Sequence, residues 1–138
     1  MYSRVYLDTA PIIYFLEGSS LYAESVKQFI FEALYAGSTF FTSVATDVEY
    51  LTLPLRNAEN QKIQAYRNLQ EFLELNVIEI NREIALSAAH LRANYSGLKS
   101  MDAIQLASCV YMGCDAFLTN DKQLLQVGEV HSVLVDDL

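Results

Sequence analysis

A chain of 138 residues that is 52% hydrophobic and 19% charged is long enough to bury a core without staples and too apolar to be disordered. Nine Lys and Arg against 17 Asp and Glu leave a net charge of −8, the wrong sign for a protein that grips phosphates through bulk charge. Cys109 and Cys114 form neither a disulfide framework nor a C-x-x-C pair, and no run approaches the roughly 20 apolar residues of a membrane helix. With no signal-peptide pattern at Met1 to Asp8, the expectation is a reduced, cytoplasmic, single-domain protein over residues 1–138.

Short β-like runs alternate with helical segments. Arg4 to Leu7 reads as a first strand, and Thr9 can cap a following helix with Pro11 in its first turn. Ser20 to Ala36 carries Val26, Phe29, Ile30, Ala33 and Leu34 at helical spacing and stops at Gly37. Ser38 to Thr42 reads as a second strand. A helix over Ser43 to Leu53, ending near Pro54, and a longer one over Ala58 to Leu75 follow. Val77 to Ile80 is a third strand, and Asn81 caps a helix reaching Asn94. Met101 to Met112, apolar on nearly every side, predicts a buried helix. Ala116 to Thr119, a short helix over Asp121 to Gln126, and a strand over Val133 to Val135 close the chain. Alternating strands and helices predict an α/β fold with a mainly parallel sheet of four to five strands and helices on both faces.

Ligands of such sheets bind beyond the carboxyl ends of the strands, and four carboxylates fall there. Asp8 follows the first strand, Glu49 lies in the helix after the second, Asp102 opens the apolar helix, and Asp121 follows the fourth strand. Converging carboxylates repel unless a cation compensates. No Lys or Arg adjoins Asp8, Glu49 or Asp102, so an oxygen-ligated divalent ion is the economical counter-charge. Each residue also has a structural reading. Asp8 could form an Asx-turn or a cap, and Glu49 a capping box with Thr46. Asp102 could serve a helix N-terminus, and Asp121 a turn. Spacing alone therefore points only to an acidic, metal-binding site.

His90 and His131 stand apart from any ligand spacing, and no G-x-S-x-G, Walker A or G-x-G-x-x-G motif occurs. Most of the nine tyrosines, including Tyr35, Tyr50 and Tyr111, sit in helical patterns as packing residues. A phosphoacceptor receiver-like module would need a lysine after a later strand, for which only Lys122 is near, and leaves Glu49 without a place.

Four segments together resemble the PIN-domain family of nucleases, VapC-like toxins in particular. They are Val5-Tyr6-Leu7-Asp8-Thr9, Thr42 to Leu51 with its serine-to-glutamate spacing, Met101-Asp102-Ala103-Ile104-Gln105-Leu106-Ala107, and Ala116-Phe117-Leu118-Thr119-Asn120-Asp121. The resemblance implies a three-layer α/β/α sandwich and hydrolysis of RNA with Mg²⁺ or Mn²⁺. Asp8 and Asp102 would be the principal metal ligands, Glu49 would hold metal or its water, and Asp121 would complete the pocket. Thr119, and less directly Thr9, would support it. Where many relatives carry an asparagine and then an aspartate, this chain has Asp121 and Leu124, so Asp121 serves alone. The resemblance further implies an antitoxin partner and a homodimer. Arg56, Lys62 and Arg67, in the stretch from Pro54 to Leu75, are candidate RNA or antitoxin contacts. A PIN nuclease of RNA processing or of structured DNA, and an inactive metal-binding or interaction domain, are the alternatives.

Overall fold

The computed structural model describes residues 1–18 and 21–138. Five strands form a sheet in the order β3-β2-β1-β4-β5: β1 (Arg4–Leu7), β2 (Thr39–Ser43), β3 (Asn76–Ile78), β4 (Ala116–Thr119) and β5 (Ser132–Leu134). Every pairing is parallel. Parallel neighbours need crossovers, and helices supply them: α1 (Thr9–Glu17), α2 (Ala23–Tyr35), α3 (Val44–Arg56), α4 (Asn60–Leu73), α5 (Arg82–Asn94) and α6 (Ser100–Tyr111).

The period of two along each strand sorts side chains into two cores. Val5, Leu7, Phe40, Ala116 and Leu118 pack with Ile12, Val26, Ile30, Tyr66 and Leu69 beneath α1, α2 and α4. Tyr6, Phe41 and Phe117 point the other way, against Ile84, Leu91, Ala103 and Leu106 of α5 and α6. This is the predicted sandwich with helices on both faces. Because the central strands β1 and β4 are covered on both sides, they read as nearly continuous apolar runs rather than alternating ones.

Several element ends differ from expectation. Helix α3 runs through Pro54 to Arg56 instead of stopping before it. The proline falls in the last turn, where its missing N–H removes one backbone bond only, and the N–H of Asn57 closes the helix on the Leu53 carbonyl at 3.0 Å. The expected start of α2 at Ser20 lies outside the described residues. Asn81 does cap α5, its side chain accepting from the Ile84 N–H at 2.8 Å. Tyr50 is buried and stacked on Tyr66 with centroids 4.6 Å apart, but Tyr35, expected to pack, is 95% exposed at the end of α2. Among the described residues no helix is long and apolar enough to cross a membrane.

Candidate functional site

Strand order reverses between β1 and β4: the chain leaves β1 towards β2 and β3, then returns to the other side of β1. Such switch points leave a crevice at the carboxyl ends of the strands. Leu7 pairs with Leu118, and the pairing continues one step beyond the strands through the Asp8 N–H to the Leu118 carbonyl at 3.0 Å. Asp8 and Thr119 therefore meet at the crevice although 111 residues separate them.

Asp8 is buried and fully engaged. One carboxylate oxygen accepts from the Thr9 N–H at 2.9 Å, and the other accepts the Thr119 hydroxyl at 2.7 Å. The first bond makes Asp8 rather than Thr9 the N-cap of α1, the capping role that the sequence allowed to either residue. Thr9 is instead the first helical residue, and its hydroxyl donates to Glu49 at 2.9 Å. Burial pushes the Asp8 carboxyl up to about 6, against the pull of its two hydrogen bonds, and the charges of Asp102 and Glu49 add to the rise.

Glu49 sits in the second turn of α3. The capping-box alternative with Thr46 fails, because Ser43 is the N-cap, its hydroxyl oxygen accepting from the Ala45 N–H at 3.2 Å, and Thr46 is buried. Asp102 lies in the first turn of α6, half-buried, and the N-cap residue Lys99 makes no side-chain cap bond. Burial raises its carboxyl above the usual range, with Asp121 and Glu49 contributing, while Lys99 works in the opposite direction. Lys99, one turn before Asp102, is a cation that adjacency in sequence did not suggest. Asp121 has a turn role too: it caps the short 3-10 helix Lys122–Gln126, one oxygen accepting from the Gln123 N–H at 3.0 Å, while its own N–H donates to Thr119 at 3.1 Å.

The four carboxylates thus feel one another across the crevice: Asp8 with Asp102 and Glu49, and Asp102 with Glu49 and Asp121. Among the described residues, no three acidic, His or Cys side chains stand close enough to wrap a single ion directly. That spacing still fits a hard divalent cation of the Mg²⁺ type, which takes one or two carboxylates and keeps several waters. The donor set is all oxygen, and its mutual repulsion is what such a cation would relieve.

Two groups of residues stand apart from the expectation. Of the basic candidates, Lys62 is held by Glu59 at 3.0 Å and Glu17 at 3.6 Å, while Arg56 ends α3 and Arg67 lies exposed on α4. Conversely, a buried polar cluster behind the carboxylates was not singled out from sequence: Thr42, Ser43, Thr46 and Gln105 are each fully buried. Its one visible signal was a glutamine inside an otherwise apolar helix.

No curated protein matches the chain in sequence. Solved structures do match in fold. A VapBC2 complex of Rickettsia felis bound to a promoter DNA fragment aligns with a TM-score of 0.73 at 15% identity, over 95% of this chain and 98% of that one. The sarcin–ricin-loop-cleaving toxin VapC20 of Mycobacterium tuberculosis gives 0.71 at 16%, over 92% and 98%. A toxin–antitoxin complex of Klebsiella pneumoniae gives 0.65 at 24%, over 95% and 97%. The PIN domain family model matches residues 5–130, which take in β1 from Val5 through β4 and all four carboxylates, and the chain belongs to that family.

Proposed function

We propose that the chain is a divalent-metal-dependent endoribonuclease, using Mg²⁺ or Mn²⁺, and the toxin half of a toxin–antitoxin pair. The observation that carries this reading is the convergence of Asp8, Glu49, Asp102 and Asp121 at the sheet's switch point, with Asp8 pushed up to about 6. A divalent ion in that crevice supplies activation of water for attack on a phosphodiester and charge neutralisation at the leaving oxygen. Asp8 and Asp102 would hold it, with Glu49 and Asp121 ordering its water. Thr119 keeps Asp8 in place, and Thr9 does the same for Glu49.

Membership of the PIN family and the fold shared with VapC toxins support nuclease chemistry, and the named complexes support an antitoxin partner. The apolar surface of α1, α2 and α4, where Phe31 stacks edge-on against both Phe15 and Phe72, suits such a partner. Homodimerisation and a cytoplasmic location belong to the same reading. Light scattering that reports a monomer at micromolar concentration would remove the dimer.

Thermal unfolding with and without Mn²⁺, for wild type and Asp8→Asn, tests the site without a guessed substrate, since metal that binds only the native state raises its stability. Stabilisation of the wild type alone is expected, followed by Mn²⁺-dependent cleavage of RNA. If both proteins ignore millimolar Mn²⁺, the inactive interaction domain becomes the better reading.

A further inference from the structure

We infer that Gln105 is a positioning residue for Glu49, fixing one carboxylate oxygen from inside the core. The inference deepens the metal-dependent reading above and rests on it.

Gln105 lies in α6, fully buried, and both ends of its amide are engaged. Its oxygen accepts from the Tyr6 hydroxyl and from the Ser43 hydroxyl at 3.0 Å. Its nitrogen donates to Thr46 at 2.9 Å and reaches Glu49 Oε1 at 3.2 Å and the Thr9 hydroxyl at 3.3 Å. The donors form a directional chain. Thr42 gives its proton to the Leu7 carbonyl at 2.9 Å, so across the 2.7 Å contact Thr46 must donate to Thr42 and is free to accept from Gln105. Reversing the amide would turn its oxygen towards a carboxylate. The anion and the hydroxyl chain therefore select the same orientation.

This arrangement matters because Glu49 is the exposed member of the acidic group. A solvent-facing glutamate ordinarily samples many rotamers, and ordering it costs side-chain entropy. Here the Thr9 O–H and the Gln105 N–H converge on the same oxygen, Oε1. One donor comes from the first residue of α1 and the other from α6, three residues after Asp102. The site's most exposed carboxylate is thus tied to the two elements that carry Asp8 and Asp102. The Tyr6 hydroxyl, itself fully buried, holds the far end of the amide.

Gln105→Met removes the amide at similar volume, and Tyr6→Phe removes only one of the hydroxyls that hold it. Asn81→Ala is the control: it removes the side-chain cap of α5, which accepts the Ile84 N–H at 2.8 Å, and touches none of these hydroxyls. The unfolding midpoint is titrated with Mn²⁺ alone. Outer-shell partners of metal ligands typically change metal affinity about 10- to 100-fold. Gln105→Met is expected to raise the half-saturating Mn²⁺ by about that factor and Tyr6→Phe by less, whereas Asn81→Ala lowers the metal-free midpoint and leaves the half-saturating Mn²⁺ unchanged. In RNA cleavage, kcat should fall in the first two variants with KM nearly constant. In metal-free protein, the Gln105 side-chain amide signal in nitrogen-15 NMR should shift on Glu49→Ala. Unchanged Mn²⁺ dependence in both Gln105→Met and Tyr6→Phe, or an amide signal blind to Glu49, overturns the positioning role while leaving the metal reading intact. A wild type that ignores Mn²⁺ overturns both, and the amide signal then still reports whether the Gln105–Glu49 bond exists. If Gln105→Met does not fold, Tyr6→Phe and the NMR signal decide.

Discussion

The two ends of the sheet treat the same residue type in opposite ways. At the amino end, Asp115 leads into β4, and its carboxylate accepts the N–H groups of Ser3 at 2.9 Å and Arg4 at 2.8 Å. Against the cost of its burial, those bonds, with help from the N-terminal charge, together hold Asp115 below the usual carboxylate range. Arg4 beside it donates twice to the Met112 carbonyl, at 3.0 and 2.7 Å, and covers the Phe41 ring 4.5 Å away. At the carboxyl end, Asp8 also accepts two hydrogen bonds, yet burial and like charges push it up to about 6. The hydrogen-bond inventory is nearly equal, and the difference lies in desolvation and neighbours. The amino end is arranged for stability. The carboxyl end holds charge that the fold alone leaves uncompensated, the usual mark of a site awaiting a ligand.

The largest effect should come from removing that charge. In metal-free protein near pH 7, Asp8→Asn is expected to stabilise by on the order of 1–3 kcal/mol, since each unit of pKa shift corresponds to about 1.4 kcal/mol and the group is buried. Chemical denaturation checks this, and a destabilised mutant would mean that the Thr119 and Thr9 bonds outweigh the repulsion. The pH dependence follows with a definite sign. Asp8 binds its proton more tightly folded than unfolded, so its contribution is fully favourable below about pH 4 and is lost as pH rises to about 6. Asp115, held low, contributes in the opposite sense, and its stabilisation disappears as pH falls below about 4. Metal-free wild type should therefore lose stability between about pH 4 and 6, and the Asp8→Asn variant should lose less, with Asp102 still acting in the same direction.

A smaller change is expected at the amino end. Asp115→Ala should destabilise by on the order of 1–2 kcal/mol through two lost charge-assisted hydrogen bonds, with the Mn²⁺ response unaltered. A shifted Mn²⁺ midpoint would show that the two ends are coupled. Smallest of all is Lys62→Ala, which breaks two exposed ion pairs and should leave the unfolding midpoint unresolved from wild type, because solvent screens such pairs.

Much of this contrast was legible in the sequence. Ala116 to Thr119 reads as a strand with the bounds it adopts, because four apolar or β-favouring residues are flanked by turn formers. The four carboxylates were readable from their places after strands or at helix starts. What escaped was set by tertiary contact. Thr9 and Asp8 are both good caps, and the choice between them depends on where β1 stops pairing with β4. The role of Gln105 needs β1, α3 and α6 in place together, and no local pattern encodes that. Pro54 reads as a helix stop from propensity alone, although a last-turn position tolerates it.

The placement of β1 also constrains how the molecule comes into being. Strand β1 occupies the middle of the sheet, and its β4 neighbour is made only after β2, β3 and helices α1 to α6. Bonds of such sequence separation form late, after the entropic cost of closing the intervening loop. A nascent chain ending before β4 lacks Thr119 and Asp121 outright and leaves Asp8 unburied. The acidic crevice therefore cannot exist until β4 and Asp121 have been made, and no nascent chain that stops short of them can carry it.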